Sequence, residues 1–102
     1  MGEYRKVGTT SEVPPGQKKV FQVAGQDVAV FNAEGKFYAL ENTCPHAGGP
    51  LGEGMFNGQV ITCPWHGFQF NVTTGGHVLG RGLKVSCFPV KVQGSDILIE
   101  AG

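Results

Sequence analysis

Val28-Ala29-Val30-Phe31-Asn32-Ala33-Glu34-Gly35-Lys36-Phe37-Tyr38-Ala39-Leu40 is the stretch that decides the fold class. Val28–Phe31 and Phe37–Leu40 are short runs rich in β-branched and aromatic residues. Between them stands Asn32-Ala33-Glu34-Gly35, where Asn and Gly supply the conformations that a tight hairpin turn demands. The same punctuation recurs outward in both directions. Tyr4–Val7 and Lys18–Val23 read as strands, the second followed by a turn at Ala24-Gly25-Gln26-Asp27. Val60–Thr62 and Phe68–Phe70 are further short strands. Thr73-Thr74-Gly75-Gly76 is a turn before His77–Leu79, and Val85–Val92 and Ile97–Ile99 flank a closing hairpin at Gln93-Gly94-Ser95. No stretch of about a dozen residues keeps a helical period free of Gly and Pro. Glycine makes up 17 of the 102 residues, as many tight turns between short strands require. The expected fold is all-β, a sandwich or small barrel.

A chain of 102 residues is expected to form one domain, spanning 1–102. Eight Lys plus Arg balance eight Asp plus Glu, so the net charge is zero. That leaves no basic excess for phosphate contacts and argues against nucleic acid and anionic membranes as partners. No apolar run approaches the 18 or so residues of a membrane span. Met1–Thr10 mixes charges and has no apolar stretch, so no signal peptide is expected and the expected location is cytoplasmic. Glu41–Gly54 fits no strand; long loops in small domains are usually functional.

Within and beyond that loop lie two pieces that carry chemistry, Cys44-Pro45-His46 and Cys63-Pro64-Trp65-His66. Each offers one soft thiolate and one imidazole. The spacing is C-x-H, then sixteen residues, then C-x-x-H. Cys44, His46, Cys63 and His66 at the tips of two loops can close one metal site. Prolines stiffen the turns, and the glycines of Ala47-Gly48-Gly49 and Gly67 let backbone N–H groups approach a charged centre. A Cys44–Cys63 disulfide is the competing reading, disfavoured in a cytosolic setting. Zinc accepts two Cys and two His, but its usual order is Cys-Cys followed by His-His. The interleaved order here suits a two-iron cluster in which one iron takes both thiolates and the other both imidazoles.

Cys-Pro-His-Ala-Gly-Gly-Pro-Leu at 44–51 and Cys-Pro-Trp-His-Gly-Phe-Gln-Phe at 63–70 resemble the two cluster loops of Rieske [2Fe–2S] proteins. Phe70-Asn71 with Thr74-Gly75, and Phe88-Pro89-Val90-Lys91-Val92, are similar to segments that follow those loops in the family. The resemblance implies a β-sandwich or barrel-like base with a small cluster-binding subdomain, about 42–70. It implies one [2Fe–2S] cluster per chain, with Cys44 and Cys63 on the inner iron and His46 and His66 on the outer one. Leu51 and Trp65 would shield the cluster from water. High-potential members carry an extra Cys in each loop; Gly49 and Trp65 stand there, so the loop-joining disulfide is absent. Their proline-rich third loop corresponds here to Leu79-Gly80-Arg81-Gly82-Leu83, which has no proline.

No nicotinamide or flavin fingerprint and no nucleophile triad accompanies these loops. The reading is therefore a one-electron carrier without substrate chemistry of its own. The resemblance implies the ferredoxin component of a dioxygenase system, taking electrons from a flavoprotein reductase and passing them to a terminal oxygenase. As a carrier it would be a monomer in transient complexes. The alternatives are a small Rieske-like subunit of an assimilatory nitrite reductase, held by a large reductase subunit, and a zinc-binding interaction module. Trp65, Pro50 and Leu51 are the expected docking residues. Cys87 reads as a small core residue or inert thiol, Glu53 as a solvated charge, and His77 as an exposed turn residue; Arg81 is solvated or touches a partner.

Overall fold

The computed structural model describes residues 4–23, 25–42, 50–64, 68–76, 78 and 85–100. Among the described residues ten strands form three antiparallel sheets. The first sheet joins β1 (Tyr4–Thr9), β10 (Asp96–Glu100) and β9 (Val90–Gln93), with β10 in the middle. The second runs β2 (Lys18–Val23), β3 (Gln26–Ala33), β4 (Lys36–Glu41) and β8 (Cys87–Phe88). The third holds β5 (Met55–Asn57), β6 (Val60–Thr62) and β7 (Gln69–Asn71).

The expected 28–40 hairpin forms, and its two strands are the inner pair of the second sheet. Ala33 pairs with Lys36, leaving Glu34 and Gly35 as a two-residue loop with φ of 56° and 93°. Two positive φ values in a row give the turn whose twist matches the flanking strands. Asn32 accepts the Gly35 N–H on its Oδ1 at 2.8 Å and donates from Nδ2 to the Val13 carbonyl at 2.8 Å, so this buried amide is satisfied.

Side chains of β3 alternate between two cores, which is why Val28–Phe31 is apolar without a break. Val28 and Val30 join Val13, Val23, Ala39, Ile97 and Ile99 beneath the first sheet. Ala29 and Phe31 face the other way, with Leu40, Leu51, Ile61, Cys63, Phe70, Val72 and Val85. The central sheet is thus covered on both faces. The rings of Phe31 and Phe56 meet edge to face at 5.1 Å, which ties β5 to β3.

Two expectations about strands need correction. Val85–Val92 is not one strand. Pro89 has no N–H for a ladder, and the chain changes sheets there: β8 pairs with β4, and β9 with β10. Met55–Asn57, unassigned from the sequence, is a strand paired with β6. The expected His77–Leu79 strand lies largely outside the described residues.

Candidate metal centre

Cys63 is the first residue after β6 and is 1% exposed. Its N–H donates to the Phe68 carbonyl at 2.7 Å, which closes the base of the turn between β6 and β7. Its side chain belongs to the core cluster of Leu51, Ile61 and Phe70, with Phe68 packed against that cluster. Cys44 and His46, in 43–49, and His66, in 65–67, lie outside the described residues, as does Trp65. Among the described residues no group of three His, Cys, Asp or Glu side chains forms a metal site.

The flanks of those stretches are described, and they stand together. Asn42 ends the run out of β4, and its carbonyl accepts the Leu51 N–H at 2.9 Å. Its side-chain Oδ1 accepts the Gly52 N–H at 2.7 Å, while its own N–H donates to Asp27 at 3.2 Å. The ends of the first Cys/His loop are therefore pinned side by side. Residues Leu51–Glu53 then form one 3-10 turn, closed by the Gly54 N–H on the Leu51 carbonyl. A Cβ on Gly54 would collide with the Thr62 carbonyl oxygen, so the exit of the first loop presses directly on the strand that delivers Cys63.

The described residues on either side of 79–84, Val78 and Val85, are anchored close by. Val78 N–H donates to Gln69 at 2.9 Å, and Val85 N–H to Gly75 at 2.8 Å. Val85 is buried in the cluster that holds Cys63. The flanks of three stretches thus meet around one apolar core, and two of those stretches carry the Cys/His pairs in the sequence.

That core fits the expected group. A buried thiol within an apolar cluster, with the base of its turn closed by a hydrogen bond, suits a soft metal ion shielded from water. The donor set, two thiolates and two imidazoles interleaved, suits a cluster with unlike irons. Phe70, wholly buried, and Phe68, half-buried, add apolar surface.

Other expectations fare differently. Leu51 is 0% exposed and cannot serve in docking; it packs in the core beside Cys63. Pro50 is half-buried, and Glu53 is exposed as expected. Cys87 is exposed on β8, so it is not a core residue; it opposes Leu40, a core residue, across the pairing with β4. His77 and Arg81 lie outside the described residues. Asn42, Gly52 and Gly54 were not anticipated, although an Asn just before a ligand loop is a familiar clamp on nearby N–H groups. Glu12, remote from this site, is perturbed: the Lys19 ammonium, with the Thr9 N–H, holds its carboxyl below its ordinary 4.5.

Comparison with known proteins places these features in a family. Residues 3–89 match the Rieske [2Fe-2S] domain. The biphenyl dioxygenase ferredoxin subunit of Pseudomonas sp. (strain KKS102) is 34% identical over 101 residues, 95% of this chain and 91% of that protein. The ferredoxin of carbazole 1,9a-dioxygenase from Nocardioides aromaticivorans IC177 superposes with a TM-score of 0.90 at 33% identity, covering 97% of this chain and 98% of that one. A chain in a complex of reduced oxygenase and oxidized ferredoxin in carbazole 1,9a-dioxygenase gives 0.87 at 33% identity, covering 95% and 92%. The chain belongs to the Rieske [2Fe–2S] domain family.

Proposed function

We propose that this member of the Rieske family is a one-electron carrier, the ferredoxin component of a ring-hydroxylating dioxygenase-type system. It receives electrons from a flavoprotein reductase and hands them to a terminal oxygenase, without substrate chemistry of its own. The relatives compared above are ferredoxin components of that kind, which favours this reading over a nitrite reductase subunit, and the family match sets aside the zinc module. No helix among the described residues is long and apolar enough to cross a membrane. A cytoplasmic monomer that meets its partners in turn is the accompanying reading, with contacts below about 1,200 Å² in total.

Cys44 and Cys63 would hold one iron and His46 and His66 the other. When bound, the cluster supplies reversible one-electron redox chemistry. Cys63 does its part from a fixed position, since the hydrogen bond to Phe68 and the packing around its side chain set where the thiolate points. Leu51, Phe68 and Phe70 keep water from that side. Both imidazoles would lie on the open side, where a partner's redox centre can come close. The whole of 1–102 acts as one domain. The cluster-binding part, about 42–70, is continuous with the base, because Leu51, Ile61 and Phe70 share a core with Ala29, Phe31 and Leu40.

The observation that carries this reading is the convergence of both Cys/His loop bases on the core that buries Cys63. Iron and sulfide analysis, with an electron paramagnetic resonance spectrum of the reduced protein, tests it. Two irons and two sulfides per chain are expected, and their loss in Cys63→Ser, because a hard hydroxyl is a poor substitute for a thiolate. Full iron and sulfide in that variant would overturn the ligand assignment.

A further inference from the structure

Asn42 stands two residues before Cys44 and makes hydrogen bonds in three directions. Its N–H reaches Asp27 on β3 at 3.2 Å, its carbonyl takes the Leu51 N–H at 2.9 Å, and its Oδ1 takes the Gly52 N–H at 2.7 Å. The last two bonds cross the mouth of the ligand loop from its first residue to its exit. The main-chain bond would survive any substitution; the side-chain bond depends on this amide.

Gly52 is built to receive it. A Cβ there would lie 2.8 Å from Asn42 Oδ1 and would collide with Val20 Cγ2 on β2. Only a residue without a side chain lets its N–H sit this close to the carboxamide while pressed against β2. Gly52 is buried, so water cannot replace Oδ1 as a partner for the N–H at no cost. The pair sets how far apart the two ends of the loop stand, and the loop carries half of the Cys/His donors. A loop with its ends fixed loses less freedom on ligation than one with its ends splayed.

We infer that Asn42 is a positioning residue for the metal centre, holding the Cys44–His46 loop at ligating span through Gly52. The inference rests on the ligand reading given above. Its test measures retention of iron by the purified protein under challenge with a strong chelator, together with the circular dichroism melt and the paramagnetic resonance spectrum. Asn42→Ala should lose iron roughly tenfold faster, the factor that about 1.4 kcal/mol of unpaired buried N–H would produce. Asn42→Asp keeps an acceptor oxygen facing Gly52 and should bring retention back to within about twofold of the parent, with an unaltered resonance line shape.

A residue that merely stabilised the fold would lower the melt of the metal-free protein as much as that of the loaded one and leave the resonance line shape of Asn42→Ala unchanged, whereas the positioning role alters that line shape in Ala and restores it in Asp. Iron loss at parental rate in Asn42→Ala, or an Asp variant no better than Ala while its melt is normal, overturns the inference. Cys63→Ser in the same challenge separates the two readings: if it retains iron, the ligand assignment has failed; if it does not and Asn42→Ala does, only the positioning role has failed.

Discussion

Gly54→Ala tests whether the exit of the first loop and the strand carrying Cys63 are locked by close backbone contact. Gly54 has φ −79° and ψ −173°, a conformation any residue adopts, so alanine would meet no conformational strain. The obstacle is space. The new methyl would overlap the Thr62 carbonyl oxygen and stand 2.9 Å from its carbon and 3.3 Å from the Leu51 oxygen. All three are backbone atoms in a paired strand or a 3-10 turn, so none can swing aside as a side chain would. Overpacking against rigid surroundings costs about 3 kcal/mol, the upper part of the usual range. In a domain of this size that lowers the melting temperature by roughly 12–20 °C. Gly94→Ala is the matched control. Gly94 has φ 61° and nothing within 4 Å of a built Cβ, so alanine there meets conformational strain alone. About 1 kcal/mol, or about 5 °C, is expected for it. Both variants are followed by circular dichroism melts and by iron content, and only Gly54→Ala should lose iron, because only it displaces Thr62 and Cys63. A Gly54→Ala melt no lower than that of Gly94→Ala would refute the reasoning.

The midpoint potential should lie near the low end of the Rieske range, about −150 mV, because Phe68 and Phe70 offer no hydroxyl to a cluster sulfur; voltammetry that placed it well above zero at pH 7 would contradict this. Phe70→Tyr brings a hydroxyl into the cluster of side chains that holds Cys63 and should raise the potential, since a hydrogen bond to sulfur favours the reduced form. Glu12 bonds to Lys19 Nζ at 3.0 Å and to the Thr9 N–H at 3.1 Å, and its carboxyl titrates below 4.5 in the folded chain. Its contribution to stability is therefore present above pH 4.5 and lost as pH falls through the lowered value, so urea midpoints of the parent and Glu12→Gln should differ at neutral pH and converge in strong acid.

The parts of this molecule that were legible in the sequence are those whose cause is local. The hairpins at Glu34-Gly35 and Gly94-Ser95 announce themselves because a two-residue turn needs positive φ and each holds a Gly, although Glu34, also at positive φ, gives no such signal by its residue type. The strand Met55–Asn57 was hidden because it sends one side chain, Phe56, inward, and one residue makes no period. The break at Pro89 was visible as a proline, but its effect, a change of sheet, depends on which partner lies on each side. Leu51 looked like a surface residue beside a metal loop; it is core because the 3-10 turn Leu51–Glu53 lies against β2 and β3.

The candidate site divides along the same line. Thiolate and imidazole donors are read from residue type, and their interleaving selects the group they suit, so Cys44, His46, Cys63 and His66 needed no coordinates to be named. What holds those donors at a fixed span could not be read this way. Asn42 meets Gly52 ten positions on, Gly52 meets Val20, and Gly54 meets Thr62, each pair distant enough in the chain that only the fold brings it together. Each contact needs a glycine on one side, against the Asn42 carboxamide, the Val20 side chain or the Thr62 backbone, and nothing local pairs a given glycine with its partner. Losing a donor would strip the centre of a proposed ligand, and adding a single methyl at Gly52 or Gly54 would displace the strand or turn beside it.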